Sequence, residues 1–153
     1  MREFKLLFVA VPFAPGNVNF GSRLALDRNG YLYITLGDRA KWDSAQELDS
    51  YHGSVIRLTE DRRVPPDNPF TDRDGALPGI WSYRHRNPQG LVMHPETGIL
   101  WLLEHGPRGG DELNIPKRGG NHGWPKVTFG REYRSDEQIG DRKSTRLNSS
   151  HER

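Results

Sequence analysis

The sequence predicts an all-β fold, a partial β-propeller of two to three blades, and three observations carry that prediction. Seventeen glycines and eleven prolines, with four Trp, five Tyr and six Phe, favour short strands and turns over long helices. Strand-like runs of four to eight residues are closed by Asn-Gly, Pro-Gly and acidic turns throughout. A hairpin also recurs. Leu24, Leu26, Gly30 and Leu32 match Leu91, Met93, Gly98 and Leu100 at an offset of 67 or 68 residues. Both copies end in a polar turn, Gly37-Asp38 in the first and Glu104-His105-Gly106 in the second. A hairpin repeated at this spacing without helical periodicity is the pattern of propeller blades or a related β-array.

In chain order, Phe4 to Val11 reads as a first strand, ended by Pro12 and the Pro15-Gly16 turn. It is too short an apolar run, with proline too close, for a secretory leader. Ser22 to Asp27 alternates, with Leu24 and Leu26 on one face, and Asn29-Gly30 turns it into the strand Tyr31 to Leu36. Trp42 to Tyr51 is polar and fits a short helix or a loop. Val55 to Leu58 and Ile80 to Tyr83 are further strands, separated by a proline- and aspartate-rich connection from Thr59 to Pro78. Within that connection Asp72-Arg73-Asp74-Gly75 resembles a calcium loop but reads as a plain turn. Ile99 to Leu103 is the last clear strand.

Of 153 residues, 33% are hydrophobic and 27% charged. No stretch approaches the roughly 20 apolar residues that span a bilayer. Without cysteine, disulfides, thiol catalysis and thiolate metal sites are excluded. The formal charge of +2 resides in residues 141–153, where Arg142, Lys143, Arg146 and Arg153 face only Asp141 and Glu152. Residues 1–140 are balanced, which argues against nucleic-acid binding. The tail lacks apolar periodicity and resembles the translation of a sequencing-adapter oligonucleotide, so 1–140 is expected to be the fragment of a longer propeller and 141–153 to be foreign. The Asn148-Ser149-Ser150 sequon falls in that tail and carries no weight.

The chemistry concentrates in Glu104 to Asn114, where three glycines and a proline bend the chain and bare its carbonyls beside three carboxylates, an arginine and a histidine. Glu112 and the carbonyls of Gly106 and Pro107 are hard oxygen donors suited to calcium, or else a tight turn with a solvated carboxylate. His105 and His122 lack a third ligand and do not make a zinc site. Arg86-Asn87-Pro88-Gln89-Gly90 is a surface turn or one wall of an anion pocket, since Arg86 can clamp a carboxylate and Asn87 can donate and accept. Asn121-His122-Gly123-Trp124-Pro125 is a structural corner or offers a carbonyl to a cation.

The blocks Phe20 to Leu24, Gly30 to Leu32, Gly53 to Leu58, Asp67 to Phe70, Arg86 to Gly90, Glu104 to Asn114 and Gly123 to Pro125 resemble the glucose/sorbosone dehydrogenase family. The likeness is greatest to the soluble aldose sugar dehydrogenases that use pyrroloquinoline quinone (PQQ), in unbroken order over about Asn19 to Tyr133. The resemblance implies a six-bladed propeller, exported to the periplasm, with PQQ and calcium at the mouth of its central channel. It implies that Arg86 and Asn87 contact PQQ and that Tyr133 lines its pocket. Gly106 and Pro107 would offer carbonyls to calcium, and Glu112 with the carbonyl of His122 would form a calcium site. Asp38 matches the acidic residue that supports the catalytic base. The implied reaction oxidises an aldose at C1 to the lactone by hydride transfer to the quinone, with calcium polarising it, and the electron acceptor is left open.

One position departs from the family. A histidine, the base, precedes Phe-Gly-Ser/Gly-Arg there, and here Asn19 stands in its place. Asparagine cannot take a proton at neutral pH, and loss of a general base costs about 10²- to 10⁴-fold in rate. The alternatives are a non-catalytic propeller that binds sugar or calcium, or Asp38 acting as base itself. The isolated chain is expected to be inactive.

Overall fold

The fold is built from seven short strands, and in the computed structural model residues 5–141 are described. They are β1 (Gly21–Leu26), β2 (Tyr31–Leu36), β3 (Ser54–Thr59), β4 (Ile80–Tyr83), β5 (Pro88–Met93), β6 (Leu100–Glu104) and β7 (Glu112–Asn114). β1 to β4 form one antiparallel sheet in sequence order, and β5 to β7 form a second. They lie side by side as adjacent blades of a partial propeller. The only helical element among the described residues is a 3₁₀ turn, Trp42–Gln46.

The repeated hairpin is real, and its two copies close their turns in the same way with different residues. In the first, the Asp27 carboxylate accepts from the Asn29 and Tyr31 amides at 2.8 and 2.9 Å. In the second, His94 Nδ1 accepts from Glu96 and Thr97. Gly30 and Gly98 both take the left-handed φ, at +80° and +68°, that the turn demands.

Two apolar layers hold the blades. Tyr33 and Val55 of the first sheet pack on Leu100 and Leu102 of the second, flanked by Ala25, Trp81, Leu91 and Met93. On the far face of the first sheet Ile34, Ile56, Leu58 and Ile80 are covered by Tyr51, Phe70, Phe8, Ala10 and Leu77. Each fully buried aliphatic side chain here contributes about 1.5–3 kcal/mol. Polar ties lock the junction, with Thr35 Oγ1 donating to the Pro88 carbonyl at 2.9 Å and the Gly21 amide donating to Asn87 Oδ1 at 3.1 Å.

The strand expected over Phe4 to Val11 does not form; Phe4 lies outside the described residues, and 5–11 carry no strand pairing. The apolar run serves a different purpose. Phe8 and Ala10 point into the first sheet's face, Phe8 edge-on to Tyr51 at 5.0 Å, so the segment lies across a sheet instead of along an edge. β7 has no signature in the sequence, because three residues with one apolar side chain give no period to detect. The tail 142–153, with its sequon, also lies outside the described residues.

Where β2 ends, a Cβ on Gly37 would overlap the carbonyl oxygen of Asn19, which holds a left-handed φ of 53°. We expect Gly37→Ala to destabilise the chain by more than about 2 kcal/mol, read as a lowered midpoint in chemical denaturation.

Candidate functional site

Three strand exits converge on one corner. Gly37-Asp38 leaves β2, Arg84 to Asn87 joins β4 to β5, and His105 to Asp111 leaves β6. Main-chain bonds fasten them together: the Asp38 amide donates to the Arg86 carbonyl at 2.8 Å, and the His105 amide to the Asn87 carbonyl at 3.1 Å.

Asp38 is fully buried and triply bonded. Its Oδ1 accepts from Asn19 Nδ2 and from the Ala40 amide, each at 2.8 Å, and its Oδ2 accepts from Trp124 Nε1 at 2.7 Å. Burial raises its pKa above the usual carboxylate range, and these donors, with the Arg86 charge, only partly oppose it. Asn19 and Asp38, paired only by family resemblance in the sequence, are thus in direct contact.

Glu104 is the second centre. Oε1 accepts from Asn114 Nδ2 at 2.7 Å and sits 3.1 Å from His85 Nδ1, while Oε2 accepts from the Arg86 amide at 2.7 Å. An ionised carboxylate can only accept, so His85 Nδ1 carries the proton; His85 Nε2 meets Ser82 Oγ at 2.9 Å. Burial alone would raise the Glu104 pKa, but the His85 charge and hydrogen bond, the Arg86 amide and the His122 charge outweigh it and lower it to about 2. His122 stacks on His85 with centroids 4.3 Å apart. Directly opposite Glu104 across the β6–β7 pair lies Glu112, and Asn114 Nδ2 bridges the two carboxylates, reaching Glu112 Oε2 at 3.1 Å.

Between these centres lies Arg86. Its Nη1 donates to the carbonyls of His105 and Gly106 at 3.0 and 2.8 Å, and its guanidinium sits 5.4 Å from the Trp124 ring centroid. Its Nε is buried and has no hydrogen-bond partner. A cavity of about 10 Å³, room for roughly one water, opens among Arg86, Glu104, Gly106, Glu112, His122 and Trp124. Main chain is in near contact beside it: a Cβ on Gly106 would overlap the Gly110 carbonyl, and one on Gly110 would meet the Gly130 main chain at 2.8 Å.

Of the residues singled out in the sequence, Arg86, Gly106, Glu112 and His122 line this cavity. The Pro107 carbonyl accepts from the Gly110 amide at 2.8 Å. Asn87 is buried as a tie between blades, its Oδ1 taken by Gly21. Tyr133 does not line the cavity; it is exposed, in a turn stapled by Arg108, whose Nη2 donates to its carbonyl at 2.8 Å. Among the described residues no three His, Cys, Asp or Glu side chains gather as a metal centre. Sequence reasoning gave no role to His85, Glu104 or Asn114, because a buried acid–imidazole pair joins residues 19 apart with no local signature.

Fold and site together define a blade-built all-β protein with a polar centre at the exits of its strands. The chain belongs to the Glucose / Sorbosone dehydrogenase family, whose profile matches residues 1–151. It is 48% identical over 133 residues to the aldose sugar dehydrogenase YliI of Escherichia coli K12, covering 87% of this chain and 36% of that protein. A crystal structure of a glucose dehydrogenase superposes with a TM-score of 0.87 at 49% identity, over 91% of this chain and 40% of its own. The PQQ-bound aldose sugar dehydrogenase of Streptomyces coelicolor superposes with a TM-score of 0.64 at 31% identity, over 82% and 35%. The chain therefore spans between a third and two fifths of the length of these relatives.

The Glu104 network carries a definite sign with pH. Its folded pKa lies below the ordinary 4.5, so its stabilisation is fully present above about 4.5 and is lost as pH falls through about 2. Asp38, shifted upward, acts oppositely: its share is present below 3.8 and is lost as pH rises through its folded value. Glu104→Gln should cost about 3–5 kcal/mol at neutral pH, by breaking a buried ion pair, and flatten the acid limb between pH 4.5 and 2. Denaturation midpoints measured across that range check both effects.

Proposed function

We propose that this chain forms part of a PQQ-dependent aldose dehydrogenase, which oxidises a sugar at C1 to its lactone. The observation that carries the proposal is Arg86, a guanidinium with a buried, unpartnered Nε–H, set against a carbonyl-rich turn and 2.8 Å by main chain from buried Asp38. An orphaned buried donor on a cation favours an anionic oxygen, and quinone carboxylates and carbonyls supply such oxygens. The cavity itself holds no more than a small ion, so the residues present fit one edge of the cofactor. When bound, PQQ supplies the two-electron acceptor and calcium the Lewis acid.

In this reading Arg86 and Asn87 hold the cofactor, and Tyr133, exposed outside the small cavity, covers the part of the cofactor that extends beyond it. The carbonyls of Gly106, Pro107 and His122, with the Glu112 carboxylate, hold calcium, and Arg86 must yield its bond to the Gly106 carbonyl for that. Asp38 orients residue 19 through the 2.8 Å hydrogen bond. A histidine there would take the sugar hydroxyl proton; Asn19 donates to Asp38 and takes none. Closure into six blades and a periplasmic address belong to the same proposal, following the family resemblance.

The second reading, a propeller that binds sugar or calcium without turning it over, is favoured by the Asn19–Asp38 bond, which satisfies the acid with a group that cannot act as base.

Titrating PQQ with calcium into the chain, followed by quenching of tryptophan fluorescence, should give saturable binding. Arg86→Ala should weaken it about tenfold to a hundredfold. Absence of PQQ binding in the unaltered chain overturns the proposal in favour of the second reading. In a longer form of the protein, Asn19→His should raise aldose oxidation by about 10²- to 10⁴-fold.

A further inference from the structure

The turn after Asp38 is built against its own backbone preference. Arg39 and Ala40 are its two central residues, and the Lys41 amide closes it by donating to the Asp38 carbonyl at 2.9 Å. Both central residues hold a left-handed φ, +57° and +56°. A turn of this kind is ordinarily filled by Asn-Gly, because a Cβ makes the left-handed conformation costly. Here the cost stands at two consecutive positions beside a buried acid. Strain so placed points to a task for the side chains it aims.

The Arg39 side chain has such a task, because it grips the segment that leads into β1. Its Nη1 donates to the Val18 carbonyl and its Nη2 to the Gly16 carbonyl, each at 2.6 Å. The guanidinium lies over the Phe20 ring, 3.5 Å from its centroid, and the Arg39 amide donates to the Asn19 carbonyl at 3.3 Å. The residues on either side of Asn19 are thus fastened to one planar cation. Asn19 is held between them at a left-handed φ of 53°, with its Nδ2 donating to Asp38 Oδ1 at 2.8 Å. The amide of Ala40, the other strained residue, donates to that same oxygen. One turn therefore holds both the acid and the residue that faces it.

We infer that Arg39 is a positioning residue, whose fork and planar face set residue 19 on Asp38. Its bearing on catalysis rests on the reading of position 19 as the base position of a sugar dehydrogenase. Lysine would keep the charge but has neither the fork nor the plane, so it cannot hold two carbonyls and a ring together. Glycine would remove the grip while relieving the strain of the turn.

Nuclear magnetic resonance of the Asn19 side-chain amide and the Trp124 indole N–H tests this in the chain itself. The two groups donate to different oxygens of Asp38, so the indole reports whether the acid stays in place. In the parent, the Asn19 side-chain protons should exchange with solvent at least about tenfold more slowly than those of exposed Asn29. Arg39→Lys and Arg39→Gly should each remove that protection and leave the Trp124 signal unshifted, and Arg39→Gly should melt no lower than the parent. Protection that is absent in the parent or persists in either variant overturns the inference. So does a Trp124 signal that moves along with Asn19, which would mean that the whole corner loosens. In a longer form carrying Asn19→His, Arg39→Lys should lower kcat for aldose oxidation about tenfold to a hundredfold with KM unchanged, and an unchanged kcat overturns the inference as well. Failure of the chain to bind PQQ overturns the dehydrogenase reading instead; the amide signals are measured without cofactor, so the two failures are separable.

Discussion

The Glu104 carboxylate is the constraint on which the rest of the corner depends. It ends β6, and its two oxygens fasten the imidazole of His85, the amide of Arg86 and the side chain of Asn114. Two strand ends of the second blade, those of β6 and β7, and the segment entering it from the first are therefore held by one ionised group in the interior. An unpaired charge there would be very costly; with this set of donors it becomes the point that fixes where Arg86 leaves the backbone. From Arg86 the order passes outward to the His105 and Gly106 carbonyls, and through its own carbonyl to Asp38.

The two buried acids are handled in opposite ways. Glu104 has donors enough to stay ionised, while Asp38 has donors but a drier setting, and burial prevails. Acids whose environments push them apart in this manner commonly mark a reactive centre. Here the difference also reflects what stands beside each one, an imidazole that can carry charge next to Glu104 and an amide that cannot next to Asp38.

Much of the fold was legible because the repeat is written in apolar residues that share one face of each strand. Leu24, Leu26 and Leu32 and their counterparts set the strand faces, and Gly30 and Gly98 set the turns between them. Phe4 to Val11 misled for a physical reason, since a short apolar run reports that an extended segment is partly buried without saying whether it is buried in a sheet or on one. Arg86, Gly106, Glu112 and His122 were found through their chemistry and do meet at one cavity. Tyr133, implied by resemblance alone, is outside the lining of that cavity, and the His85–Glu104 pair has no local signature because its partners come together only once β4, β5 and β6 have folded.

The rim from Gly106 to Gly130 has a consequence for how such a site can change over time. Where main chain packs on main chain too closely to admit a methyl group, substitution is closed as a route to new shapes. Change in the shape of this corner must then enter through neighbours that retain side chains, such as Arg108 and Asp111. The cradle would outlast the specificity built around it, as a fixed socket into which successive lineages fit different walls.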